Sequence, residues 1–225
     1  VGKTGDGNTI LFRSLLGPTG QVLVQQMLYL NTGSIQGILG IAADAGHTLG
    51  NTLDWHKNAQ ANLRERNYKA GFASITVTAK GGLYTPPART DPAMGLVAGP
   101  DNAELNFLEG GISTAPQSPD IVFEIRTSAT GVMPTFASGN NPDKVTFSVS
   151  RTTGLFSGRF TLVNTISLSP LKKITRTVTY RGIIFPNGVI QQGGGNFPMA
   201  KLPANPADPA NTTDILAGAV TLSAH

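Results

Sequence analysis

Glu104, Glu109, Asp120 and Glu124 lie close enough in sequence for neighbouring strands to bring two of them together. Two carboxylates flanking one sugar bond are what glycoside hydrolysis needs, one to protonate the leaving oxygen and one to attack or to activate water. A sugar cleft usually needs several exposed aromatic rings as well. Here Trp55 is the only tryptophan, and there are four tyrosines, Tyr29, Tyr68, Tyr84 and Tyr180. Asp54 and His56, two apart on one face of an extended segment with His47 on the other, could chelate a metal or fix an imidazole tautomer. With three histidines in the chain, one of them His225, a three-histidine centre is not supported. Asp54 and His56 therefore read as solvated surface residues. Gly2-Lys3-Thr4 has the tail of a phosphate loop without the upstream glycine or a following helix. Asp6-Gly7-Asn8 offers one carboxylate and no later glutamate at calcium-loop spacing, so a tight turn is the better reading. Ser157 stands outside any G-x-S-x-G elbow and reads as the outward residue of a strand. Cysteine is absent, which removes disulfides, thiolate metal sites and cysteine nucleophiles. No catalytic, cofactor-binding or metal-ligating residue is assigned, and the chain is expected not to be an enzyme.

The 225 residues carry 17 Lys and Arg against 13 Asp and Glu, a net charge of +4. Basic residues gather at Arg64, Arg66 and Lys69, and again at Lys172, Lys173, Arg176 and Arg181. Such groups can contact anionic polymers. Only Tyr68 and Tyr180 stand among them, which is no stacking platform for bases. A solvated basic surface is the plainer reading; nucleic acid is not expected as a partner, and acidic polysaccharide stays open. Charged residues make up 13% of the chain, about half the usual share. A low-charge surface rich in Thr, Ser, Asn and Gly is common in exported β-proteins. No apolar run approaches the ~20 residues of a membrane-spanning helix. The opening at Val1 reads as a cleavage or chain boundary.

These residues must be held by strands. In residues 144–163, Val145, Phe147 and Val149 alternate with polar residues, a turn follows at Arg151-Thr152-Thr153-Gly154, and Phe156, Gly158, Phe160 and Leu162 alternate again. A period of two on both sides of a turn predicts a half-buried hairpin, with Trp55, Phe147, Phe156 and Phe160 in the core. The same pattern predicts paired strands at 9–16 and 21–30, then at 34–42 and 47–57. Further strands are predicted at 72–80, 103–109, 121–127, 172–185, 196–202 and 215–223. Helix is expected largely within 58–69. The 27 glycines and 15 prolines suit many short strands. Both faces of 215–223 are largely apolar, which places that strand between covered faces and not on an exposed edge. Pairing within the chain is the favoured arrangement, with donation to a neighbouring molecule as the alternative.

Residues 86–102 hold four prolines and two glycines and mark an internal boundary. This gives a first β-module at 1–88, a linker at 89–102, a second β-module at 103–202, and a Pro-rich spacer with a last strand at 203–225. Each side shows, in order, a hairpin, a basic stretch, a Thr/Val strand, and a Gly pair with an aromatic-Pro exit, GGLYTPP on one side and GGGNFP on the other. That order suggests a duplication, although any Gly- and Thr-rich β-meander yields such matches.

Several phrases together, LLGPTGQVLVQQMLYLNTGSIQGILGIA, TLDWHK, RNYKAGF, GGLYTPP, KVTFSVSRTTGLFSGRFTL and YRGIIF, resemble a β-rich module of large exported bacterial cell-surface proteins. Such modules are often C-terminal and stand beside cadherin-like or immunoglobulin-like repeats. TGLFSGRF is the most specific phrase, and YRGIIFPNGVIQQGGGNF departs from the usual Tyr-Phe-Leu ending. The resemblance implies no activity and supplies no functional residues. The expectation is an all-β chain of two related antiparallel β-barrels or sandwiches in tandem, located at a bacterial cell surface or outside the cell. Its expected role is a structural or adhesive component that associates with itself or with other surface proteins, including as a strand-donating filament subunit. A carbohydrate-binding module is the first alternative and a polysaccharide hydrolase the second.

Overall fold

Alternating apolar residues build the strands of two separate units, Val1–Leu83 and Tyr84–His225. The structure, a computed structural model, describes residues 2–62, 64–112, 119–128, 131–137, 139–168, 170–187 and 190–225. The chain is all-β, with no α-helix among the described residues.

In the first unit β1 (Gly2–Lys3) and β2 (Thr9–Ile10) form a two-stranded ribbon. The strands β3 (Gln21–Leu28), β4 (Gly33–Ile41), β5 (Leu49–Lys57) and β6 (Phe72–Gly81) form an antiparallel sheet in chain order. Register sets the two faces. Gln25, Gln36, Asp54 and Thr76 are aligned across the sheet on one face, and Gln26, Ile35, Trp55 and Ile75 on the other. Val24, Leu28, Ile35, Leu39, Leu53 and Trp55 form a small buried core, with Ile10 and Phe72 packed against it.

Two expectations change here. Of the predicted strand at 9–16, only Thr9–Ile10 is strand, and Leu16 makes a single bridge to Val22. The full length of β3 pairs with β4 instead, and Leu11 and Leu15 stay exposed. No helix forms among the described residues of 58–69. There the Asn62 Oδ1 accepts from Arg64 N at 3.0 Å and the Glu65 Oε1 accepts from Asn67 N at 2.8 Å. Side-chain acceptors that capture nearby amides compete directly with helical bonding.

The second unit contains β7 (Ala103–Glu109), β8 (Ile121–Ser128), β9 (Gly131–Thr135), β10 (Thr146–Val149), β11 (Leu155–Leu168), β12 (Leu171–Asn187), β13 (Ile190–Ala200) and β14 (Ile215–Ala224). They form one antiparallel sheet in the order β10-β11-β12-β13-β14-β7-β8-β9. Its end strands β9 and β10 approach each other, so the sheet is nearly closed. The stretches that looked duplicated, β4–β5–β6 and β10–β11–β12, are both antiparallel meanders. The last strand is inserted within the chain: Val220 lies opposite Gly195 of β13 and Phe107 of β7.

The interior is filled by side chains. Phe107, Phe123, Phe147, Phe156, Phe160, Tyr180 and Phe197 are all buried, and Phe107 meets Phe160, Tyr180 and Phe197 edge-on at 4.8, 5.0 and 5.9 Å. Such edge-to-face pairs add stability beyond the area they bury. Gly158, in the TGLFSGRF phrase, is required by this packing. A Cβ there would collide with Thr146 O and with the Tyr180 hydroxyl, which donates to Thr146 O at 2.6 Å. Residues 89–102, read from the sequence as a linker, send Ala93, Met94 and Leu96 into this core. The Arg151 guanidinium donates to the carbonyls of Pro87, Ala88 and Arg89, and Tyr84 Oη donates to Arg151 O at 2.8 Å.

Candidate functional site

The structure brings some of the chemistry-bearing residues read from the sequence onto shared sheet faces and not others. Glu104 and Glu124 sit on neighbouring strands β7 and β8, on the side opposite the buried Ala103, Leu105, Phe123 and Ile125. Glu109 ends β7 in a left-handed conformation, φ 59°, and is exposed. Asp120 is exposed and accepts from Phe107 N at 2.6 Å, the role of a backbone cap. Asp54 accepts from Thr76 Oγ1 at 3.3 Å, and His56 Nδ1 lies 3.2 Å from Ser34 Oγ, both on the outer face of the first sheet. His47 precedes β5, in a turn with φ 42°. Among the described residues no three His, Cys, Asp or Glu side chains could hold a metal ion.

The basic residues of 172–181 do not form one patch. Strand alternation puts Lys172 and Arg176 on one face of β12 with Val178 and Tyr180, and Lys173 and Arg181 on the other. Arg176 is committed to Asn164 Oδ1 at 2.9 Å and Ala200 O at 2.7 Å. Among the described residues Phe12 is the one exposed aromatic side chain, so no sheet face carries a row of rings for sugar stacking.

The structure instead assembles a polar cluster beneath the first sheet, where sequence reasoning saw only a tight turn. Thr4, Asp6, Gly7 and Asn8 do form that turn, closed by Thr4 N to Asn8 O and Gly7 N to Thr4 O, both 2.9 Å. Gly7 takes φ 88°, where a side chain is disfavoured. The turn delivers Asp6 into the interior. Asp6 Oδ2 lies 3.3 Å from the Nζ of Lys57, and both side chains are 0% exposed. Nζ also donates to Asn67 O at 2.5 Å and stands 3.6 Å from Glu65 Oε1. It is 4.5 Å from the centre of the Tyr29 ring, a geometry in which the ring face attracts a cation.

Tyr29 reaches this place at a conformational cost. Tyr29, Leu30 and Asn31, between β3 and β4, take φ of 55°, 55° and 70°. Each non-glycine residue there is disfavoured by roughly 1–2 kcal/mol. The turn is held by Thr32, whose Oγ1 donates to Tyr29 O at 2.7 Å. The Tyr29 hydroxyl accepts from Trp55 Nε1 at 3.0 Å. Burial pushes Asp6 up, but the hydrogen bonds from Thr4, Tyr29 and Asn8 and the Lys57 ammonium outweigh it and hold the carboxyl below its usual value. Burial, reinforced by the acceptor Asp6, pushes the Tyr29 phenol far above its ordinary range. Thr4 Oγ1 donates to Asp6 Oδ1 at 2.5 Å. A buried ion pair is held only when such bonds satisfy its remaining lone pairs and protons.

A signal for this cluster was present in the sequence. Extending the alternation through Leu53 and Trp55 by two residues puts Lys57 on the core face, and a lysine there demands a buried partner.

Asp143, in the second unit, is a buried carboxyl of a different kind. Its burial raises its pKa above the ordinary 3.8. A raised pKa means that the native state binds more protons than the unfolded chain, so the destabilisation grows as pH climbs from about 3.8 through the native value. Asp143→Asn is expected to raise the melting temperature at pH 7, with the gain vanishing at pH 3. An equal gain at both pH values would show that ionisation is not its cause.

The chain matches no family model, no curated protein and no solved structure.

Proposed function

We propose that this chain is a non-catalytic structural or adhesive component of a bacterial cell surface or extracellular assembly. The observation that carries the reading is the filled interior of the second unit. An eight-stranded closed sheet can hold a small ligand where its lumen is open, whereas here Phe107, Phe160, Tyr180 and Phe197 occupy the centre. Such a unit is a solid block, suited to bearing load and presenting surface. The outward carboxylates on β7 and β8 and the single exposed ring among the described residues, Phe12, favour this over hydrolysis or sugar binding. Self-association or contact with other surface proteins is the corresponding partner class.

The experiment has two arms. Sedimentation and electron microscopy of the native chain should give a defined self-associated particle or specific capture by a partner surface protein. Incubation with polysaccharides should give no turnover, and the pair Glu104→Gln with Glu124→Gln should behave as the parent. Hydrolysis of a polysaccharide that disappears in that pair would overturn the proposal.

A further inference from the structure

The cluster around Lys57 holds an amine, a carboxyl, a second carboxylate and the Thr4 hydroxyl donor in a site closed to solvent at its centre. Nζ and Asp6 Oδ2 are 3.3 Å apart with both side chains fully buried, so the nitrogen is held against the carboxyl group it would attack and no bimolecular encounter is needed. Thr4 Oγ1 donates to the other oxygen, Oδ1. Glu65 Oε1, 3.6 Å from Nζ, is the partly exposed member, its side chain 25% accessible.

We propose that Lys57 and Asp6 condense into an intramolecular amide that ties the 4–8 turn to the end of β5. The ion pair is the resting form. Passing one proton from the ammonium to the carboxylate yields a neutral amine and a carboxylic acid, the form in which the nitrogen has a lone pair to attack with. The Nζ lone pair attacks the Asp6 carboxyl carbon. The Nζ–C bond forms, the C–Oδ2 bond breaks, and Oδ2 leaves as water carrying the two protons that the ammonium loses. Glu65 accepts one of these protons from nitrogen and returns it to the departing oxygen. Thr4 donates to the carboxyl where negative charge develops, the placement that stabilises a tetrahedral intermediate. Atoms and charge balance without an oxidant, reductant or cofactor, since an ammonium and a carboxylate become an amide and one water.

The Asp6-Gly7 step supplies the competing chemistry, because attack by the Gly7 amide nitrogen on the same carboxyl gives a succinimide and also loses one water. The test separates the two. The intact mass of the unfolded full-length chain should fall short of its sequence mass by one water, and proteolysis should yield one branched peptide containing both Asp6 and Lys57. Asp6→Asn should lose one ammonia instead, giving the same branched product. Lys57→Arg should show the full sequence mass. Glu65→Gln should fold, as judged by a native circular dichroism spectrum, and condense at least tenfold more slowly. A folded wild-type chain at full sequence mass after prolonged incubation would overturn the proposal. A water loss that survives in Lys57→Arg would assign the loss to the succinimide and overturn it equally.

Discussion

Deleting residues 211–225 is expected to abolish folding of the second unit. This segment contains β14, which is hydrogen-bonded to β13 on one side and to β7 on the other. Val220 and Leu222 are 0% exposed, and burying each is worth about 1.5–3 kcal/mol. Their loss also uncovers Phe107 and Phe197 and leaves two strand edges unpaired inside the sheet. The sum reaches the ~5–15 kcal/mol by which a typical domain is stable. Limited proteolysis of the shortened chain should digest the region from Tyr84 onward rapidly while a fragment from the first unit persists. A deletion variant that keeps the parent's protection and melting temperature would show that β14 does not complete this sheet.

Phe160→Ala carries the largest expected effect of a single substitution in the second unit. Phe160 is 0% exposed, and its ring lies 4.8 Å from Phe107 and 5.6 Å from Phe197. Truncating a buried phenylalanine costs about 3–5 kcal/mol, because the removed atoms are lost and the cavity closes only in part. Urea unfolding should show a lower midpoint with an unchanged slope. Phe160→Leu, which keeps most of the volume, should recover much of the loss. A midpoint equal to the parent's would remove Phe160 from the core.

How much of this was legible in the sequence depends on the physical signal. The period of two in Val145/Phe147/Val149 and in Phe156/Phe160/Leu162 gave the β10–β11 hairpin, because a half-buried strand must alternate. Trp55, Phe147, Phe156 and Phe160 are buried as that pattern required. Gly193, Gly194 and Gly195 hid part of β13, since glycine argues against a strand on propensity. They lie within the strand, and a Cβ on Gly193 would meet the Phe156 ring and Leu222, while one on Gly195 would meet Arg181 O. The segment at 9–16 was misread because its apolar residues do not alternate strictly, and β4 offered β3 a longer ladder. The Lys57–Asp6 cluster was the hardest to see. Its members are far apart in sequence, and no local period links a turn near the start of the chain to the end of β5.

The insertion of β14 beside β7 also has a consequence for the time course of folding. In the first unit every strand of the main sheet pairs with its neighbour in the chain, so the sheet can zip up hairpin by hairpin. In the second, Ala103 must find Ala224 and Phe107 must find Val220, contacts whose loop-closure entropy slows the search. During synthesis the first unit can therefore be complete while β7 still waits, one edge open, for the ribosome to release its partner. That interval is the chain's window of exposure to chaperones and to misassociation.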